Sequence, residues 1–76
     1  MNRTHVESSD IESIGYDSRS QTLEIEFLKG SVYQYFDVPG YIYRDLMNAD
    51  SHGKYFSANI KGVYRYSKVK KGNDKT

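Results

Sequence analysis

The chain has 76 residues, enough for one small domain and too few for a second core or a large enzyme cleft. It contains no cysteine, which excludes disulfides and thiolate metal sites. Its only histidines are His5 and His52, so no metal centre is expected. Net charge is +1 but unevenly spread, with seven acidic and three basic side chains in residues 1 to 37 against three and eight in residues 38 to 76.

The span from Lys54 to Lys71 holds six cations and no anion, a run that suits either a polyanion-binding surface or a solvated end. No apolar stretch is long enough for a membrane span or a secretory signal, so the expected location is cytoplasmic, with no membrane partner. Eight tyrosines, three phenylalanines and no tryptophan mean that tyrosine must supply part of the core and leave some rings for the surface.

Residues 1–9 are polar and without apolar period, and are expected to form a loose arm; residues 70–76 read as an equally loose tail, leaving one domain over 10–69. From Ile11 to Asp37 apolar residues alternate: Ile14 and Tyr16, then Leu23, Ile25 and Phe27 set against Glu24 and Glu26. Period two with turn residues at 18–21 and 29–30 predicts a three-stranded antiparallel meander, about 11–17, 22–28 and 31–37.

The second hairpin has two registers. A two-residue turn at Lys29-Gly30 puts Val32 and Phe36 with the apolar face and sends Tyr33 and Tyr35 to the side of Glu24 and Glu26. A three-residue loop, Leu28 to Gly30, pairs Ile25 with Tyr33 and Leu23 with Tyr35 and turns both tyrosines inward. The two-residue turn is favoured because it unites Val32 and Phe36 with Leu23, Ile25 and Phe27.

At Asp37-Val38-Pro39 the period changes. Proline suits a first helical turn, Asp37 suits its cap, and Ile42, Leu46 and Ala49 form a stripe, predicting a helix at about 39–50. A short helix at about 55–62 carries Phe56 and Ile60, Gly62 can end it, and a candidate fourth strand follows at about 64–69. The fold class is therefore α+β. The expected core is Ile14, Leu23, Ile25, Phe27, Val32, Phe36, Val38, Ile42, Leu46, Phe56 and Ile60.

Catalytic chemistry has poor material. His52 stands beside Gly53 in an apparent turn, and its neighbour Ser51 is adjacent in sequence rather than facing it, as a nucleophilic pair requires. Glu24 and Glu26 read as the wet side of a sheet. The six glycines have no phosphate-loop or dinucleotide spacing. No enzyme activity, catalytic residue, metal or cofactor is expected.

Binding has better material. Tyr55, Tyr64 and Tyr66 are interleaved with Lys54, Lys61, Arg65, Lys68, Lys70 and Lys71, the mixture with which proteins stack bases and neutralise phosphates. The competing reading makes Tyr55 and Tyr64 core and the lysines solvated. Ser51 to Ser57, with Lys54 and a helix start, forms a weaker candidate anion site. An exposed Tyr33-x-Tyr35 would give a flat stacking platform.

The ordered series Ile14-Gly15-Tyr16-Asp17, Leu23-x-Ile25-x-Phe27 with Gly30, Tyr33-x-Tyr35, Asp37-Val38-Pro39, Ala49 with Ser51 and Gly53, Tyr55-Phe56 and Ile60-Lys61-x-x-Tyr64 resembles the KTSC family over roughly 10–69. That family is named for its occurrence at the C-terminus of some lysyl-tRNA synthetases and also occurs as stand-alone bacterial proteins. Lys61 stands where its pattern commonly has Arg, and Ser57 where it tends to have Asn. The resemblance implies an accessory module, with RNA binding suggested by the tRNA-charging context and a bacterial or phage source. It carries over Tyr33, Tyr35 and Lys61, with Tyr64 structural.

The leading expectation is a small non-catalytic module for tRNA-like or single-stranded RNA. Lys54, Lys61, Arg65 and Lys68 would meet phosphates, and Tyr33, Tyr35, Tyr55 and Tyr66 would stack. The alternative is a protein–protein interaction domain using the same tyrosine-rich face.

Overall fold

The computed structural model describes residues 1–72. Five strands and two helices follow in the order β1 (Thr4–His5), β2 (Ile11–Asp17), β3 (Thr22–Phe27), β4 (Val32–Tyr35), α1 (Gly40–Asn48), α2 (His52–Asn59) and β5 (Tyr66–Lys70). The strands form one antiparallel sheet in chain order, an α+β arrangement in which both helices fall between the last two strands. No helix among the described residues is long and apolar enough to cross a membrane.

Alternation of apolar residues in β2 and β3 gives the sheet its buried face. Ile14 lies opposite Ile25, and Tyr16 opposite Leu23. Ile42 and Leu46 of α1, Phe56 of α2 and Ile60 just beyond it close over that face, together with Val6, Ile11, Tyr35 and Val38. Tyr16 stacks on Tyr43 of α1 at 4.9 Å between centroids, and its hydroxyl donates to the Val38 carbonyl at 2.5 Å, tying β2 to the entry of the first helix. His52 joins the two helices: its Nδ1 lies 2.8 Å from the Leu46 carbonyl, a C-terminal acceptor of α1 that also accepts from the Ala49 N–H at 3.3 Å. It therefore donates from Nδ1 and has a structural role.

Several sequence expectations are corrected. The β3–β4 hairpin uses the three-residue loop: Leu23 pairs with Tyr35, Ile25 with Tyr33 and Glu26 with Val32. Gly30 N–H donates to Phe27 O at 2.8 Å with Gly30 at φ 98°, and Phe27 N–H donates to Ser31 O at 2.9 Å. A two-residue turn would have forced Lys29 to positive φ, a region that non-glycine residues avoid. Tyr35 is consequently buried and Phe36 leaves the core. Val32 is buried but outside the main cluster.

The N-terminal segment, expected to be loose, supplies β1 and the buried Val6. Residues just before β1 cross the sheet face away from the helices. Gly15 permits this approach, because a Cβ there would lie 2.6 Å from the Asn2 carbonyl. Arg3 Nη1 pairs with Glu24, Arg3 Nε donates to Ser13 Oγ at 2.9 Å, Ser13 donates to Glu26 at 2.8 Å and Gln34 to Glu24 at 2.8 Å. Glu24 is thus only 6% exposed rather than on a wet face, and its desolvation is offset by this network.

The remaining shifts are at element ends. The first helix is shorter than expected, beginning after Pro39. Asp37 does not cap it, standing instead at φ 58° with its carboxylate accepting from Arg65 Nη2 at 2.8 Å. The second helix starts three residues earlier than expected, because Ser51 caps it by accepting from the Lys54 N–H at 3.2 Å. The expected fourth strand is β5, which extends into the tail as far as Lys70. The end of that tail, 73–76, lies outside the described residues.

His5 on β1 sits between two carboxylates, with Nε2 3.1 Å from Glu7 and Nδ1 3.1 Å from Glu12. The Glu7 hydrogen bond, followed by that of Glu12, raises the imidazole above its ordinary 6.5. The stabilisation of the docked arm is thus complete below pH 6.5 and is lost as pH rises through the raised value. An NMR titration of His5 is expected to give a midpoint above 6.5 that moves back toward it in Glu7→Gln; a midpoint at or below 6.5 would show that the carboxylates do not hold the ring.

Candidate nucleic-acid interface

The helices leave the sheet uncovered toward β4 and β5. Phe56 of α2 makes edge contacts with Phe27 and Tyr35, both at 5.5 Å. Beyond Phe56 the rings continue into the open: Tyr33 meets Phe27 at 5.7 Å, Tyr35 at 6.3 Å and Tyr66 at 5.7 Å, and Tyr66 meets Tyr35 at 5.9 Å. Exposure rises along this row, from Tyr35 at 4% to Tyr66 at 62%. Burial, with lesser contributions from Tyr33 and Tyr66, pushes the Tyr35 phenol up to about 12, so it remains a neutral donor at physiological pH.

These rings form one wall of an open groove of about 630 Å³. Gly53, Phe56 and Ser57 of α2, on one face by their helical spacing, also line it, as do Lys29, Lys61 and Gly62. Ser9 and Asp10 close one end, beside the start of α2. A Cβ at Gly53 would lie 2.8 Å from Asp10 Oδ2, so only glycine allows the carboxylate to lie against the helix here.

The groove gathers Tyr33, Lys61 and Tyr66, and Lys68 Nζ lies 5.7 Å over the Tyr33 ring, adding a cation–π contact at its edge. Tyr35, expected to stack, touches the groove but is only 4% exposed, because the three-residue hairpin loop turns it into the core. Among the described residues neither Lys61 nor Lys68 has an ion-pair partner. Lys54 borders a shallower depression of about 430 Å³ that shares Ser9, Asp10, Gly53 and Ser57 with the groove.

Three candidates stand elsewhere. Arg65 is engaged by Asp37 and lies over the Phe36 ring at 5.4 Å. Tyr55 and Tyr64 pack against the core, where desolvation raises the Tyr55 phenol. The sequence reading missed Asp10, Phe27 and Phe56 as groove residues. The Gly53 position held the one local hint of a close approach, but nothing near it pointed to residue 10. The candidate anion site at Ser51 to Ser57 already has the Asp10 carboxylate beside its helix end, a favourable internal partner for the α2 dipole.

A family model described as the KTSC domain matches residues 7–66. The chain is 44% identical over 63 residues to a lysine–tRNA ligase of Nostoc punctiforme, covering 83% of this chain and 11% of that protein. It is 40% identical over 70 residues to an uncharacterised protein of Stutzerimonas stutzeri, covering 91% of this chain and 99% of the relative. A crystal structure of a KTSC domain protein from Yersinia pestis superposes with a TM-score of 0.85 at 42% identity, covering 90% of this chain and 96% of that one. The chain therefore spans about a tenth of the ligase it matches and nearly all of the free-standing relative.

Proposed function

Since the chain belongs to the KTSC domain family, which it shares with a small part of a tRNA ligase and with free-standing proteins, we propose that it is a non-catalytic module binding single-stranded RNA in the tyrosine-lined groove. The observation that carries this reading is the pair Tyr33 and Tyr66, with Tyr35 buried behind them, beside Lys61 and Lys68, whose ammonium groups have no ion-pair partner among the described residues. Tyrosine faces stack on any base, and two cations at the groove edge meet the phosphates of a strand passing over it. Such a module would work in the cytoplasm, where RNA is met.

Binding of a labelled single-stranded oligoribonucleotide should be salt-dependent. If Lys61 and Lys68 each neutralise one phosphate, the log–log slope is about −1.4, and affinity falls roughly sevenfold between about 50 and 200 mM salt. Lys61→Ala should halve that slope. A protein captured in the presence of nuclease, with no RNA bound at micromolar protein, would replace this reading by the protein-interaction one.

A further inference from the structure

The groove carries one carboxylate among its cations: Asp10 lines it together with Lys29 and Lys61. Asp10 stands against Gly53 at the start of α2, while Lys61 follows the end of the same helix, and the separation of eight positions from Gly53 to Lys61 amounts to roughly 12 Å at the helical rise. Between these ends lie the tyrosine faces. Among the described residues no cation pairs with Asp10, so its carboxylate oxygens remain open as acceptors in a site otherwise suited to an anionic strand. For phosphate binding alone this carboxylate is a penalty. Beyond its interaction with the α2 dipole, it favours a ligand only if that ligand brings hydrogen-bond donors to it.

We infer that Asp10 is a specificity residue that selects, in the groove, a nucleotide whose base presents an amino group, with guanine fitting best. This rests on the RNA-binding reading above and adds an orientation to it. The base stacks on the tyrosine wall with its Watson–Crick edge toward Asp10, and its phosphate lies toward Lys61 and Lys68. Guanine offers two adjacent donors, N1–H and the 2-amino group, to the two oxygens of one carboxylate. Adenine and cytosine each offer one amino group. Uracil offers a single N–H flanked by two carbonyl oxygens, which the carboxylate repels.

The test is fluorescence anisotropy with four labelled heptamers of uridine that carry G, A, C or U at the central position, measured on the full chain and on Asp10→Asn and Asp10→Ala, with thermal melts to compare folding. The central G is expected to bind about tenfold more tightly than U, with A and C between. Both variants should compress this range to about twofold, chiefly by binding the all-uridine strand more tightly. Equal binding of all four heptamers by the unaltered chain, or an unchanged ranking in the variants, overturns the role of Asp10 and leaves RNA binding standing. No binding of any heptamer at micromolar protein removes both.

Discussion

Replacing Tyr66 by alanine is expected to weaken single-stranded RNA binding by roughly 5- to 150-fold, the equivalent of the 1–3 kcal/mol that one stacked base contributes. The same change should alter folding stability by about 1 kcal/mol or less, since the ring is 62% exposed and its contacts to Tyr33 and Tyr35 are centroid distances of 5.7 and 5.9 Å at a surface. The pairing of a large binding effect with a small stability effect is the signature of a ring held open for a ligand. Tyr66→Phe should retain most of the affinity, because the stacking face survives. If Tyr66→Ala binds as well as the parent chain, the outer end of the tyrosine row has no part in recognition.

Ile25→Ala is expected to have the opposite profile. Ile25 is completely buried in the central strand, with Ile14 opposite on one side and Tyr33 on the other. Truncation there removes apolar contact and leaves a cavity, at a cost of about 3 kcal/mol. A chain of this length has a total stability of only roughly 4–11 kcal/mol, so the midpoint of thermal unfolding should fall by roughly 12–24 °C. Ile25→Val should cost about 1 kcal/mol. Leu28→Ala, half exposed on the adjoining loop, should change stability by about 0.5 kcal/mol or less. A loss for Ile25→Ala as small as that for Leu28→Ala would contradict the assigned core.

The elements legible in the sequence are those whose signal is local. Strict alternation from Leu23 to Phe27 and the Ile42–Leu46 spacing mark β3 and α1, because each records a single buried face. The register of β4 was not recovered from hydrophobicity, since either choice buries aromatic residues. It was decided by backbone chemistry: Gly30 alone in that loop tolerates positive φ, and three loop residues place it where that conformation is needed. Ser51 is an N-cap signal hidden by the neighbouring His52-Gly53, which reads as a breaker although both residues lie inside α2.

The long-range features were illegible for a different reason. Nothing near Arg3 announces that Glu24, Glu26 and the bare backbone of Gly15 will stand together beneath it. The same holds for the groove. The cationic run from Lys54 was visible, yet only the fold determines that Lys61 and Lys68 face the tyrosines while Arg65 is held by Asp37. Asp10 enters the site from a loop far away in sequence.

Amide chemical-shift mapping by NMR, with a single-stranded oligoribonucleotide added to the isotope-labelled chain, tests the proposed interface most directly. The largest changes are expected at Asp10, Tyr33, Tyr35, Gly53, Ser57, Lys61, Tyr66 and Lys68, in one continuous band along the groove. Changes centred instead on Ser13, Glu24 and Gln34 across the sheet, or no changes at millimolar RNA, would contradict it.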